Sequence, residues 1–310
     1  MELSRFQRYR DAIVGSCGRV IVGKEEAVAL VATAFVCSGH VLLEDLPGTG
    51  KTMLLRAFAK TVGGTFRRVQ FTPDLLPSDL TGLHFFDQKE GEFRFRPGPL
   101  FANIVLADEI NRATPRTQSS LLEAMEERQI TVDGVTFRLQ EPFLVMATQN
   151  PLESYGTFPL PDAQVDRFFL RLSLGRMTRE QEESVVVRRS AQEIVEELVP
   201  AVRPEETEWV RREYARVRVS RPVLGYLMDI IEATRALGPQ TAGVSTRGAI
   251  ALYRAAQVTA AFAGRDYVIP EDVKYLAPHV LGHRLSAGAA EGREIVERIL
   301  HRVAVPLEEP

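Results

Sequence analysis

Residues 41–58 read VLLEDLPGTGKTMLLRAF: a short apolar run, a glycine-rich turn and the start of a helical pattern. A strand, a glycine turn and a helix in this order form the context that a phosphate-binding P-loop requires. Glycines let backbone N–H groups crowd around phosphate oxygens, and the helix N-terminus adds a partial positive charge. The segment therefore predicts a nucleotide site in which Lys51 reaches the β- and γ-phosphates and Thr52 ligates magnesium.

The turn departs from the strict P-loop pattern at its first position, where this chain has Asp45 in place of glycine. An Asp at the outer edge of a turn tolerates a left-handed backbone or forms a local hydrogen bond, so we expect nucleotide binding to persist. The residues expected around the phosphates are Pro47, Gly48, Thr49, Gly50, Lys51, Thr52 and Met53.

A second apolar run, residues 104–107, ends in the acidic pair Asp108 and Glu109. An isolated pair of this kind is usually the solvated start of a loop, but the upstream P-loop favours a catalytic interpretation. We expect Asp108 to hold magnesium, usually through water, and Glu109 to orient and polarise the attacking water.

A third apolar run, residues 143–148, is followed by Gln149-Asn150-Pro151. Ligands of open α/β folds bind at the carboxyl ends of the strands, which is where Asn150 would lie. Asn150 is therefore expected to position the water or to contact the γ-phosphate.

The first half of the chain alternates β-rich runs, at residues 40–44, 67–71, 104–107 and 143–148, with helical patterns. This alternation predicts an α/β fold with a parallel sheet. Strand-like runs disappear after about Leu174, and helical patterns follow. We expect a nucleotide-binding core at residues 1–176 and a smaller helical domain at 177–310.

Two hairpins interrupt the α/β alternation. One spans residues 83–96 with a turn near Glu90-Gly91, and the other spans residues 129–138 with Asp133-Gly134 at its turn. Asp-Gly between alternating runs is a strong hairpin signal. Both hairpins are open to two interpretations, as local decorations or as segments that contact a substrate.

The composition narrows the class of protein and of partner. With 310 residues, 45% of them hydrophobic and 25% charged, the chain has the composition of a soluble globular protein. A net charge of −3 provides no general attraction for nucleic acid or an anionic membrane. Cys17 and Cys37 are too few for a disulfide framework. Neither a signal peptide nor a membrane span is evident, so we expect a cytoplasmic protein.

Together these segments resemble the AAA+ ATPases, and within them the MoxR-type group. The matching segments are VGKE at 22–25, LLEDLPGTGKT at 42–52, LADEINRA at 106–113, LLEAMEE at 121–127, ATQNP at 147–151 and AQVDRF at 163–168. The resemblance implies an α/β P-loop AAA+ core with a parallel five-stranded sheet, a smaller all-helical lid, and Mg²⁺-dependent hydrolysis of ATP.

The same resemblance implies roles for residues outside the P-loop. Ile21, Val22 and Gly23 would lie beside the adenine, and Asn150 would be the first sensor. Arg247 resembles the second sensor, which closes the lid over the nucleotide of its own subunit.

Arg167 resembles an arginine finger, which reaches into a neighbouring subunit and so implies a homo-oligomer, expected to be a hexamer. A guanidinium near the γ-phosphate offsets the charge of the transition state. Arg112 and Arg171 are competing candidates, and a structural salt bridge is the other interpretation of Arg167.

The hairpins fall where the family has its helix-2 insert and pre-sensor hairpin, which implies that they face the centre of a ring. Members of the group resemble chaperones that mature protein complexes, often with a partner carrying a von Willebrand A domain. Two alternatives remain: a ring motor on nucleic acid that uses Arg94 and Arg96, and a nucleotide-gated scaffold or switch. The overall acidity disfavours nucleic acid.

Overall fold

The computed structural model describes residues 2–45, 48–149, 156–188, 190–238, 243–285 and 289–306. The strands within these segments are β1 Val41–Glu44, β2 Phe66–Gln70, β3 Gly82–Asp87, β4 Glu92–Pro97, β5 Ile104–Asp108, β6 Gln129–Val132, β7 Val135–Arg138, β8 Leu144–Gln149 and β9 Leu170–Leu172.

Five of these strands form one sheet in the order β2-β5-β8-β1-β9, and every pairing within it is parallel. Parallel strands end at the same edge of a sheet, so β1, β5 and β8 present the residues that follow them at one common edge. The α/β fold with a parallel sheet expected from the sequence is confirmed.

Both faces of the sheet are covered, which explains why its central strands are continuously apolar. Successive side chains of a strand point to opposite faces. In β1, Val41 and Leu43 belong to the apolar cluster formed with the first three helices, whereas Leu42 belongs to a second cluster on the other face.

The helices are α1 Leu3–Gly18, α2 Glu25–Val36, α3 Lys51–Thr61, α4 Pro77–Thr81, α5 Pro115–Glu127, α6 Asp162–Val165, α7 Arg179–Val187, α8 Ala191–Glu197, α9 Pro204–Glu213, α10 Arg221–Arg235, α11 Thr246–Phe262, α12 Pro270–Leu281 and α13 Ala289–Arg302. After β9 the described residues form helices and connecting segments, in agreement with the expected helical lid.

The helical region is tied to the core through the first helix. Tyr9 of α1 donates a hydrogen bond to the Thr207 hydroxyl at 3.1 Å, and its ring lies 6.3 Å from that of Phe262. Phe6 packs against Trp209 at 4.9 Å between ring centroids. One apolar cluster thus runs from the sheet through α1 into the lid. The division at residues 176 and 177 stays a proposal.

The two predicted hairpins are present as β3–β4 and β6–β7, both antiparallel. They pack against each other: the rings of Phe95 and Phe137 stack at 4.3 Å, and His84 Nδ1 lies 2.8 Å from Asp133 Oδ2. Other aromatic side chains of β3–β4 face outward, with Phe86 52% and Phe93 71% exposed. Local packing therefore accounts for only part of the aromatic content of the hairpins.

Among the described residues, no helix combines the length and apolarity needed to span a membrane. Cys17 and Cys37 are buried free thiols, and burial raises the pKa of Cys17 to about 11. Both cysteines are therefore core residues.

Candidate active site

The loop between β1 and α3 opens its backbone toward a cavity. Gly48 and Gly50 have φ angles of +86° and +89°, which glycine adopts at no steric cost. Gly50 is the N-cap residue of α3 and has no side chain that could accept a hydrogen bond. No capping side chain therefore engages the N–H groups at the start of this helix. This geometry suits an anion. Pro47, which was also expected at the phosphates, lies outside the described residues.

One cavity of about 370 Å³ brings the two halves of the predicted site together. Gly48, Gly50, Lys51, Thr52 and Met53 line it from the P-loop side. The opposite wall is formed by residues that lie in or directly after the neighbouring strands, including Asp108, Glu109, Thr148, Arg68 and Gln70.

Lys51 folds back onto its own loop, where Nζ donates to the Asp45 carbonyl at 3.0 Å. A phosphate in the cavity would offer the ammonium charged acceptors instead of this neutral one, and hydrogen bonds between charged groups are the stronger kind. Lys51 is therefore positioned to exchange a backbone partner for a phosphate.

The Asp45 side chain has a different role from the expected one. Its carboxylate accepts hydrogen bonds from Ser173 Oγ at 2.6 Å, from the Leu174 N–H at 2.6 Å and from the Gly175 N–H at 3.2 Å. Asp45 is not among the residues with positive φ, and its partners lie far along the chain. The expectation of a left-handed backbone or a local bond was wrong. Asp45 ties the start of the P-loop to the segment that leads into the lid.

This tie predicts a stability effect. Asp45→Ala should lower the free energy of unfolding by about 2–4 kcal/mol, because the buried N–H of Leu174, the N–H of Gly175 and the Ser173 hydroxyl lose a charged acceptor. Chemical denaturation followed by circular dichroism measures the difference. Asp45→Asn, which keeps one carbonyl oxygen, should lose less, and a midpoint for the Ala variant equal to that of the parent would contradict the assignment.

The two acids are held by a network that joins three strands. Thr148 Oγ1 donates to Asp108 Oδ1 at 2.7 Å and accepts from the Glu109 N–H at 2.8 Å. Glu109 has a left-handed backbone with φ +58° and ψ +51°, which turns its chain sharply after β5. Its Oε2 accepts from Gln70 Nε2 at 2.7 Å and from Arg112 Nη1 at 2.9 Å.

Asp108 also pairs with an arginine that the sequence interpretation missed. Arg68 Nη2 lies 2.6 Å and Nε 3.1 Å from Asp108 Oδ2. Arg68 lies in the middle of β2 and Gln70 at its end, where Gln70 is the register partner of Asp108. The available signal was that both residues belong to a predicted strand, with Gln70 near its carboxyl end, but this signal does not reveal which strand is the neighbour.

The residues fit a magnesium ion of the kind that accompanies a nucleoside triphosphate. The Thr52 hydroxyl and the Asp108 carboxylate are hard oxygen donors of the kind Mg²⁺ prefers, and both line the same cavity. The Arg68 guanidinium forms an ion pair with the Asp108 carboxylate, which shows that this position accommodates a cation. Among the described residues no cluster of three or more His, Cys, Asp or Glu forms a separate metal site.

The segment expected beside the adenine lies next to the P-loop. A Cβ on Gly50 would be 3.8 Å from Ile21 Cδ1. Gly23 has φ +66°, and the amide of Gln181 in α7 packs directly against it. Arg188 donates to the carbonyls of Arg19 and Val20. Contact of Ile21, Val22 or Gly23 with a base stays a prediction.

Arg167 and Arg247 lie together, but at the opposite edge of the sheet from this cavity. Arg167 Nε is 3.1 Å from Glu126 Oε2, and Arg247 pairs with the other oxygen of Glu126. His40, just before β1, contacts the carbonyl of Met125 at 3.0 Å, so this end of α5 is at the amino edge of the sheet.

Lys51 lies at the carboxyl edge of the sheet and both arginines lie at its amino edge. The central strands, which extend by about 3.3 Å per residue, therefore separate them. The expectation that Arg247 closes over the nucleotide of its own chain is not met, because its ion pairs with Glu126 and Asp166 hold it at the far edge. Arg167 is 33% exposed and Arg247 48% exposed, so both are accessible from outside the chain.

The competing candidates for the finger are less accessible or lie elsewhere. Arg112 contacts Glu109 within the same cavity region. Arg171 is in β9, mostly buried, and 3.6 Å from Glu44; desolvation by burial lowers its pKa. Asn150, the expected first sensor, lies outside the described residues.

Residues 40–170 match the family described as the ATPase family associated with various cellular activities (AAA), and residues 232–303 match the AAA lid domain. With a P-loop and an acidic pair in one cavity, these matches define an AAA+ ATPase. The chain is 39% identical over 312 residues to Chaperone MoxR1 of Mycobacterium tuberculosis, covering 93% of this chain and 80% of that protein. The chain belongs to the MoxR-type AAA+ ATPases.

Further relatives agree. An uncharacterised protein, YeaC of Bacillus subtilis, is 48% identical over 296 residues, 94% of this chain and 92% of its own length. The crystal structure of a candidate ATPase from Cytophaga hutchinsonii superposes with a TM-score of 0.87 at 38% identity, covering 98% of each chain. A full-length MCM homologue from Methanopyrus kandleri, with a TM-score of 0.58 and 20% identity, shares the fold. The family and the fold class expected from the sequence are confirmed.

Proposed function

We propose that this chain hydrolyses ATP with Mg²⁺ in the cavity between the P-loop and the acidic pair. The observation that carries this proposal is that Lys51, Thr52, Asp108 and Glu109 line one cavity at the carboxyl edge of the sheet. Lys51 and the start of α3 bind the phosphates, while Thr52 and Asp108 hold the ion, which supplies charge neutralisation. Glu109 orients and deprotonates the attacking water.

The direct test is phosphate release from ATP by the purified chain, measured with Mg²⁺ and again in excess EDTA. Release should require Mg²⁺, because Thr52 and Asp108 would otherwise face the triphosphate without a cation. No release under either condition would overturn the proposed hydrolysis.

The phosphate contact of Lys51 can be tested by binding alone. Lys51→Ala should weaken binding of a non-hydrolysable ATP analogue by about ten- to a hundredfold, because charge-assisted hydrogen bonds contribute about 1.5–3 kcal/mol. Lys60→Ala, at the exposed far end of the same helix, is the matched control. Titration calorimetry gives both dissociation constants, and equal values would rule out the contact.

We also propose that the sites are shared between subunits of a homo-oligomer, a hexameric ring. Arg167 and Arg247 are partly exposed at the edge opposite their own cavity, and both pair with the carboxylate of Glu126. A head-to-tail ring apposes two different surfaces of the chain, and so it can bring one subunit's far edge to the next subunit's cavity. Both arginines would then offset charge on a neighbour's nucleotide.

The substrate class we propose is a protein complex, remodelled in a chaperone-like manner, with a von Willebrand A domain protein as a candidate partner. Support comes from the relative named Chaperone MoxR1 and from the exposed aromatic side chains of the joined hairpins. Phe86 and Phe93 offer an apolar surface that suits a polypeptide client. A cytoplasmic location remains part of the proposal.

A nucleic-acid motor is less well supported. Arg94, a candidate for backbone contacts, lies within 3.6 Å of Asp87, 3.5 Å of Glu90 and 3.0 Å of Glu92. Three carboxylates around one guanidinium neutralise it, and they would repel a phosphate backbone. DNA-stimulated hydrolysis would favour this alternative.

A slow nucleotide-gated switch is distinguished from a motor by the measured rate of ATP hydrolysis.

A further inference from the structure

Arg68 occupies the carboxylate that the proposed function assigns to magnesium. Its Nη2 and Nε donate to the same oxygen, Oδ2 of Asp108, at 2.6 and 3.1 Å. Nη2 also lies 2.9 Å from the side-chain oxygen of Gln70. The Arg68 side chain is 48% exposed and lines the same cavity as Lys51 and Thr52.

The other oxygen of Asp108 is already engaged, because Oδ1 accepts from Thr148 Oγ1 at 2.7 Å. Thr148 is also the acceptor for the Glu109 N–H, so this bond is part of the framework of the site. Oδ2 is consequently the oxygen that an ion or its coordinated water would use, and in this arrangement the guanidinium covers it.

A guanidinium and a hydrated divalent ion cannot both take the same face of one carboxylate oxygen. Their mutual repulsion at short distance adds to the steric conflict. The Asp108 carboxylate is 14% exposed, and without either cation it would face the incoming triphosphate as an uncompensated like charge. Arg68 therefore has a function in the ion-free state.

We propose that Arg68 is a built-in substitute for magnesium: it neutralises Asp108 until the nucleotide-bound ion displaces it. The proposal rests on the proposed function, because it assumes that nucleotide enters this cavity. It assigns Arg68 as a positioning residue, acting through Asp108. It also predicts that Arg68 matters most for nucleotide that arrives without its ion.

The test measures the ADP dissociation constant in EDTA and in excess Mg²⁺, by calorimetry, which requires no turnover. In the parent chain Arg68 screens Asp108 in EDTA, so ADP still binds. In Arg68→Ala we expect the EDTA value to weaken about tenfold through unscreened repulsion. The Mg²⁺ value should stay within about threefold, because the ion has already displaced the guanidinium.

Arg67→Ala is the matched control, because Arg67 is the preceding residue of β2, faces the other side of the strand and donates to the carbonyl of Phe66. A ratio of EDTA to Mg²⁺ constants that rises for Arg68→Ala and not for Arg67→Ala supports the proposal. An unchanged ratio for Arg68→Ala overturns it. Arg68→Gln, which keeps much of the side-chain volume, decides the matter if circular dichroism shows the Ala variant unfolded.

A second arm connects the effect to Asp108. In an Asp108→Asn background there is no charge to screen, so adding Arg68→Ala should leave ADP binding in EDTA unchanged. A tenfold loss in that background would overturn the proposal by showing that Arg68 acts on the phosphates directly. If the parent chain binds no ADP in either condition, the proposed function itself fails, which is a distinct result.

Discussion

Glu109→Gln should lower ATP turnover by about a hundredfold or more, as loss of a positioned general base does, while ATP affinity stays within about threefold of the parent. Gln has the shape of Glu and still offers an oxygen to Gln70 and Arg112, but it cannot take a proton from water. The left-handed backbone of Glu109 and the bond from its N–H to Thr148 are independent of the carboxylate, so the turn after β5 should persist.

Phosphate release gives the rate, and calorimetry gives the affinity. Glu123→Gln is a suitable control because Glu123 is an exposed acid on α5, and its loss should leave both quantities unchanged. Turnover equal to that of the parent in Glu109→Gln would remove Glu109 from the mechanism. Loss of ATP binding would instead assign it a role in holding nucleotide.

The same variant can be used to identify the client protein, because a subunit that binds ATP without hydrolysing it should retain a bound client. Proteins retained by Glu109→Gln in ATP can be identified by mass spectrometry. The double variant Lys51→Ala with Glu109→Gln, in which ATP binding is weakened, is the control for adventitious retention. A von Willebrand A domain protein enriched only in the first sample would support the proposed partnership.

The features that depend on the local sequence pattern could be predicted from the sequence. The apolar runs that became β1, β5 and β8 are buried on both faces, so they stand out from the surrounding segments. The P-loop glycines and the Asp-Gly turn carry backbone requirements that are visible one residue at a time. The short edge strand β9, Leu170–Leu172, was missed because three residues carry too little pattern.

Pairings between distant segments could not be predicted from that pattern. Arg68 reaches Asp108 because β2 is the neighbour of β5 in the sheet. The sequence of neither segment indicates this strand order. Asp45 binds residues after β9 because β9 pairs with β1.

The position of Arg247 has a similar cause. The lid is docked through α1 and α11, which places the start of α11 beside Glu126. The order of motifs along the chain suggested a role over its own nucleotide, but packing decided which nucleotide it can reach. Arg284 illustrates the same effect: it is buried against Asp166, 118 positions away, and desolvation by burial lowers its pKa to about 10.

Arg167→Ala should lower turnover by about a thousandfold in the assembled protein, the magnitude associated with loss of an arginine finger. ADP binding by the variant should stay close to that of the parent, because an arginine finger acts on the γ-phosphoryl group, which ADP lacks. The ion pair with Glu126 is partly exposed and contributes little to stability, so the variant should remain folded.

The decisive result comes from mixing. An Arg167→Ala subunit keeps Glu109, and a Glu109→Gln neighbour keeps Arg167, so a site formed between them is complete. In a random equal mixture about a quarter of the interfaces of a head-to-tail ring have this arrangement. Turnover should therefore recover to a substantial fraction of the parent rate, although each variant alone is nearly inactive.

The matched control carries both substitutions on one chain. Mixed with Arg167→Ala, it supplies no arginine and should restore no turnover. Absence of recovery at every ratio would mean that Arg167 acts within its own subunit or has no catalytic role, and the shared-site ring would then lose its main support.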